Sequence, residues 1–174
     1  MIRKLFILLL LACAAIAAFV YSGRYDISAA HPHWPIVRRL ISALVDNSVK
    51  HHAKDITVPP LEDTAMVRLG FEHYQEMCVD CHGAPGVKRE EFAEGLYPHA
   101  PKLKGPAEEW SPAELYWMTR YGIKMSGMPA FGATHNEHEL WSIVAFLKKL
   151  PSLDSAAYAR FKATSPKEDE DHEH

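Results

Sequence analysis

The stretch Met77-Cys78-Val79-Asp80-Cys81-His82-Gly83 decides how the rest of the chain is read. Two thiols separated by two residues, with an imidazole directly after the second, form the CxxCH spacing of covalent haem attachment. The chemistry requires two thiols to add across the two vinyl groups of the macrocycle and an adjacent imidazole to reach the iron from the same side. One helical turn supplies that geometry. Two other uses of a CxxC remain open at this point. A zinc site needs two further ligands, for which His135 and His138 offer an HxxH, but these lie more than fifty positions beyond Cys81. A thiol redox motif belongs in a βαβ setting, and no alternating strand pattern precedes Cys78. Haem attachment is the reading that employs all three residues.

A second iron ligand is sought downstream, in Gly122-Ile123-Lys124-Met125-Ser126-Gly127-Met128-Pro129-Ala130-Phe131. Glycine and proline break regular structure here, so a side chain can be aimed from a loop. A methionine thioether is a soft ligand that favours ferrous haem and raises its reduction potential. Met125 and Met128 compete for the role. Met128 is preferred because Pro129 stiffens the backbone at that point. A loop methionine is otherwise a hydrophobic gap-filler, and its position 46 residues after His82 is what favours ligation.

Upstream of the motif, Arg3 and Lys4 precede Leu5 to Tyr21, 17 residues without a charge. As a helix this run is about 26 Å long against a hydrocarbon core of about 30 Å. Basic residues ahead of it place the N-terminus in the cytoplasm and everything after Tyr21 across the membrane. The competing reading is a cleaved signal peptide with Ala15-Ile16-Ala17 at the cleavage site. Phe19, Val20 and Tyr21 extend the apolar run past that point, which favours an anchor. Cys13, inside the run, reads as an inert embedded thiol. Next, Val37, Leu40, Ile41, Leu44, Val45 and Val49 recur with helical period, flanked by Arg38, Arg39, Lys50, His51 and His52. Such a helix suits either an anionic membrane surface or packing on the following domain or a partner subunit. Val58-Pro59-Pro60-Leu61 then marks a boundary.

Residues 64–150 resemble a class I c-type cytochrome: a helix leading into CxxCH, a proline-containing loop, a middle helix, a Met-Pro loop and a closing helix. The resemblance implies an all-α fold built around one covalent haem c. It implies that Gly70 and Tyr74 of the first helix cross Ile143 and Phe146 of the closing helix, the glycine permitting close approach. Ala100-Pro101-Lys102-Leu103 is similar to the loop whose proline carbonyl accepts a hydrogen bond from the ligating imidazole. By that likeness Pro101 fixes the ring of His82 and Leu103 lines the haem. The implied cofactor-binding set is Cys78, Cys81, His82, Pro101, Leu103 and Met128, with His82 and Met128 on the metal. The segment 1–63 departs from a diffusible carrier, which has no need of an anchor.

These readings divide the 174 residues into an anchor at 1–21, a connector with an amphipathic helix at 22–63, the haem domain at 64–150, and an extension at 151–174. The extension ends in Ser165–His174, whose five acids and two histidines predict a disordered tail. Helices are expected at 64–77 behind Asp63, at 112–121 behind Ser111 with Glu114 in its first turn, and at 137–150 behind Asn136. Trp110, Trp117 and Trp141 are expected as pocket or core walls. At 48% hydrophobic and 24% charged the chain suits one globular domain with appendages. It carries no basic surface suited to nucleic acid.

A His/Met iron leaves no open position for a substrate, so the expected role is one-electron transfer and not catalysis. The expected partners are a redox protein at or in the membrane and membrane lipid, without a small-molecule substrate. The expected location is the bacterial inner membrane, single-pass, with the haem domain in the periplasm. Two rival classes stand beside this: a haem enzyme or gas or peroxide sensor in which Met128 dissociates, and a zinc-binding interaction module.

Overall fold

The computed structural model describes residues 1–164, and the expected acidic tail, Ser165–His174, lies outside the described residues. The architecture is all-α, as the resemblance implied. Eight α-helices follow in chain order: α1 Ile2–Tyr21, α2 Pro35–Ala53, α3 Thr64–Met77, α4 Val79–His82, α5 Lys104–Glu109, α6 Pro112–Tyr121, α7 Glu137–Lys149 and α8 Ser155–Thr164. Among the described residues there is no strand, only an isolated bridge between Ala84 and Val87.

Local chemistry sets the helix starts. The Asp63 carboxylate accepts from the Ala65 N–H at 2.9 Å and begins α3. Ser111 and Glu114 close a reciprocal capping box on α6, with Pro112 in the first turn. Asn136 and Glu139 form a second such box on α7, which adds the Glu139 carboxylate to the cap expected from Asn136.

The core is organised by the crossing of α3 and α7. A Cβ on Gly70 would lie 1.8 Å from the Ser142 carbonyl oxygen, so only glycine allows this backbone contact. Around it, Phe71 meets Phe146 edge to face at 5.3 Å and Tyr74 lies 5.1 Å from the same ring. Ile143 and Phe146 are fully buried beside them. The extension after α7 belongs to this core as well. Tyr158 and Phe161 of α8 pack on Phe71 at 5.4 and 5.3 Å, and the Tyr158 hydroxyl meets Gln75 Nε2 in a short contact. Aromatic residues at 158 and 161, with no strong apolar period around them, explain why this helix went unforeseen.

The connector is two-sided. Over its C-terminal half α2 packs on α6, burying Val49 and Ala53, while His52 stacks on Trp117 at 5.4 Å and Lys50 Nζ lies 5.9 Å above Trp110. Of the placements open for this helix, packing on the following domain therefore holds for that half. By contrast α1 is exposed along its whole length and is long and apolar enough to cross a membrane.

Gly70→Ala forces α3 and α7 apart at a backbone contact that no rotamer change can relieve. The expected loss is about 3 kcal/mol or more, which in a domain of this size lowers Tm by about 10 °C or more. Thermal unfolding of the haem-loaded protein followed by circular dichroism checks it, and an unchanged Tm would show that the crossing is looser than described.

Candidate functional site

The end of α3 delivers the motif. Cys78 closes α3, and the single turn of α4 carries Cys81 and His82. The Tyr74 hydroxyl donates to the Gly83 carbonyl at 2.5 Å, which ties the far end of that turn back to the α3–α7 core. Burial holds the Tyr74 hydroxyl far above the usual phenol range, so it remains a donor at any physiological pH. Burial, with Cys81 adding to it, also pushes the Cys78 thiol up to about 12.

His82 has a defined tautomer. Its Nδ1 lies 2.7 Å from the Pro101 carbonyl oxygen, which can only accept, so Nδ1 carries the proton and Nε2 presents its lone pair. Desolvation lowers the His82 pKa, the Pro101 bond partly opposes this, and Arg89 lowers it further. The ring is therefore neutral at pH 7, the form a metal ligand requires.

Both cysteines and His82 face a cavity of about 370 Å³. Its walls come from several elements: Met77 at the end of α3, Leu96, Pro98 and Ala100 ahead of Pro101 and Leu103, Trp110 after α5, Leu115 and Met118 of α6, Ile123, Ser126 and Phe131 beside Met128 before α7, and Ile143 and Leu147 of α7. The lining is mostly apolar. Lys148 helps to hold Trp110 in place, since its Nζ donates to the Ala107 carbonyl at 2.6 Å and to the Trp110 carbonyl at 3.3 Å. A wider depression of about 980 Å³ shares His82, His99 and Leu103 with the cavity and is bordered by Lys88, Arg89, Lys102 and Lys104.

Of the residues expected at the site, Cys78, Cys81, His82, Pro101, Leu103 and Met128 all line this one cavity. Met125 does not; it is 90% exposed, with a positive φ of 58°. The loop holding Met128 is pinned from within. Ser126 Oγ donates to the Ile123 carbonyl at 2.7 Å and accepts from the Met128 N–H at 3.2 Å, while the Ile123 N–H reaches the Met128 carbonyl at 3.3 Å. Gly122 makes the tight return possible: its φ is +64°, and a Cβ there would meet the Met128 and Pro129 carbonyl oxygens at 2.7 Å.

Sequence reasoning missed several cavity residues, Val45, Met77 and Met118 among them. Val45 comes from the connector helix, and Met77 and Met118 add two thioethers beside Met128. Met77 and Met118 sit at helical positions where a methionine reads as core filler, and both do pack against the central cluster. Val45 had a legible signal, its place in the apolar period of α2, but that period does not say what the helix covers. The histidines considered for zinc lie elsewhere: His135 packs on His73 at 5.3 Å and on Phe131 at 5.8 Å, and His138 is exposed. Among the described residues no group of three or more His, Cys, Asp and Glu side chains could hold a metal ion, so the zinc alternative finds no ligand set there.

The donor set of the cavity fits a covalent haem: paired thiols, a neutral imidazole with a free Nε2, and a thioether, within apolar walls. Residues 65–147, slightly under half of the chain, match the protein family described as cytochrome C oxidase, cbb3-type, subunit III. The chain carries a c-type cytochrome domain. Haem c is accordingly its covalent cofactor. No curated protein matches the chain.

Replacing both Cys78 and Cys81 by Ser removes the thioether-forming groups. Expressed in an exporting host with haem-ligation machinery, the double variant should yield no haem that survives denaturing electrophoresis. Haem staining of the wild-type and variant bands measures this directly, and equal staining would refute attachment at these positions.

Proposed function

We propose that this cytochrome domain is a membrane-anchored one-electron carrier, working alone or as a subunit of an electron-transfer complex, with His82 and Met128 as the two axial ligands of a single haem. Haem iron supplies reversible one-electron exchange when bound, at a potential that its axial ligands tune. The observation that carries the reading is the convergence of His82 and Met128 on one apolar cavity together with both cysteines.

Each protein group has a separate task. Cys78 and Cys81 fix the macrocycle in place. Pro101 holds the His82 ring and, by accepting its Nδ1 proton, makes Nε2 more basic. The apolar walls, Leu103 among them, exclude water, which lowers the solvent reorganisation that accompanies electron transfer. Met128 is favoured over Met77 and Met118 because those two belong to the helical core, whereas Met128 sits in a loop whose backbone is bonded to itself. With His82 and Met128 both holding the iron, no position would be left for a substrate, which favours carrier function over catalysis or gas sensing.

The partner we infer is a membrane-resident redox protein. The matched family takes its description from a subunit of a cytochrome oxidase, and α1 supplies a candidate span that keeps the domain beside such a partner. We place the haem domain on the periplasmic side of a bacterial inner membrane, following Arg3 and Lys4 ahead of the span. A retained span raises the effective concentration of the domain toward membrane partners.

Met128→Ala should turn the iron high-spin or bring in another ligand, lower the reduction potential and abolish the near-infrared sulfur-to-iron band. Met125→Ala and Met118→Leu should leave that band intact. Loss of the band in Met118→Leu, with retention in Met128→Ala, would transfer the ligand role to the helix α6.

Retention is tested separately. Because salt screens charge but does not extract an apolar span, the full chain should stay in the membrane pellet after a high-salt wash. Release into the supernatant would return the soluble carrier to first place.

A further inference from the structure

The segment joining α1 to the haem domain is folded onto both of its neighbours. Trp34, which caps α2, lies 5.9 Å from Phe19 near the end of α1 and meets Tyr25 edge-on at 5.2 Å. Tyr25 Oη is 2.8 Å from His33 Nδ1. The His33 backbone N–H in turn donates to Tyr97 Oη at 3.0 Å, with the two rings edge to face at 5.2 Å. Tyr97 stands between Leu96 and Pro98, both of which line the haem cavity. A hydrogen-bonded latch thus connects the residues just after α1 to the cavity wall.

The helix that follows is half covered. Val45, Val49 and Ala53 face the haem domain, whereas Ile36, Leu40 and Leu44 are 61%, 64% and 70% exposed. These three recur at i, i+4 and i+8 and form one bare apolar stripe. A contiguous exposed apolar stripe of this kind marks a contact surface.

We propose that the N-terminal half of α2 beds in the phospholipid headgroup layer and, with the Tyr25–His33–Tyr97 latch, forms a rigid bracket that holds the haem cavity at one orientation to the bilayer. This rests on reading α1 as a retained span. Three observations select lipid as the occupant. The stripe begins beside Trp34, which touches α1 itself. Tyr25 and Trp34, rings with polar tips, cluster at the junction as residues at the headgroup level do. Arg39 is exposed next to Leu40 at the margin of the stripe, which suits anionic headgroups. The connector is then a bracket and not a slack tether, and only partners presented to one side of the cavity can exchange electrons with it.

The test uses the haem-loaded full chain in oriented multilayers of phosphatidylcholine and phosphatidylglycerol, read by electron paramagnetic resonance of the ferric haem at varied tilt. The wild type should show signals that depend strongly on angle. Tyr25→Phe/Tyr97→Phe, which removes the latch hydroxyls, and Leu40→Glu/Leu44→Glu, which spoils the stripe, should each lose that dependence while keeping the visible spectrum. No angular dependence in the wild type, or full dependence in both variants, overturns the bracket. A second measurement addresses the occupant. In a Cys13→Ser background in pure-lipid vesicles, Leu40→Cys should react with a water-soluble maleimide about ten-fold more slowly than Asp46→Cys, since the headgroup layer excludes the reagent. Equal rates in vesicles, with protection of Leu40→Cys only in native membranes, would make the covering surface a protein and refute the lipid assignment. A high-salt wash of the same vesicles separates the two readings: release refutes the span and the bracket together, while retention without angular dependence refutes the bracket alone.

Discussion

The contact between Gly70 and the Ser142 carbonyl is the constraint on which the haem site depends. It sets how closely α3 and α7 approach, and both helices carry cavity residues on their way out of that crossing. Cys78 follows two turns after Gly70, and Ile143 and Leu147 reach the cavity from the other helix. Any residue larger than glycine would separate the elements that present Cys78 and Cys81 from those that wall the cavity. Protein interiors do not deform smoothly under such a load, because packing at near-crystalline density transmits the displacement. The aromatic residues Phe71, Tyr74 and Phe146 then lock the crossing in one register.

Two polar contacts carry that register into the site itself. Tyr74 reaches from the core to the Gly83 carbonyl and so fixes the turn that contains Cys81 and His82. Pro101 meets His82 from a different segment and decides which ring nitrogen is left free. Both bonds lie in or beside low-dielectric surroundings, where a satisfied hydrogen bond is strong and an unsatisfied group is costly. The Met128 loop is built on another plan. Its order comes from bonds among Ile123, Ser126 and Met128, and from the backbone turn at Gly122, so it holds its shape with little help from the core.

What was legible in the sequence was what is local. The CxxCH spacing, the Ser111 and Asn136 caps, the helical periods and the Gly/Pro loop before α7 are all short-range signals, and the helices at 64–77 and 112–121 fall where those signals put them. The closing helix ends at Lys149, one residue short of the expected boundary, because Leu150 passes into a 3₁₀ turn ahead of Pro151. Contacts across the chain were not legible from residues alone. Pro101 and the Gly70 crossing came through family resemblance, and nothing in the period of α2 told Val45 from Leu44, although one lines the cavity and the other faces outward. The latch was invisible for the same reason: His33 and Tyr97 are 64 positions apart. A helix at 155–164 escaped because its burial rests on two aromatic rings and not on a stripe.

That asymmetry bears on how the protein is organised. A c-type domain of this size leaves little apolar surface to spare, since small domains bury a modest fraction of their chain. Here the haem cavity takes side chains from α2 as well as from the domain, and α8 closes the far side of the α3–α7 crossing. The flanking segments are thus structural parts of the haem site. It follows that α2 and the site are mechanically coupled. Displacing α2 would open the cavity at Val45 and release Lys50 and His52 from Trp110 and Trp117. A connector with such contacts cannot act as a free linker, because each of its displacements exposes apolar surface that the haem domain otherwise covers.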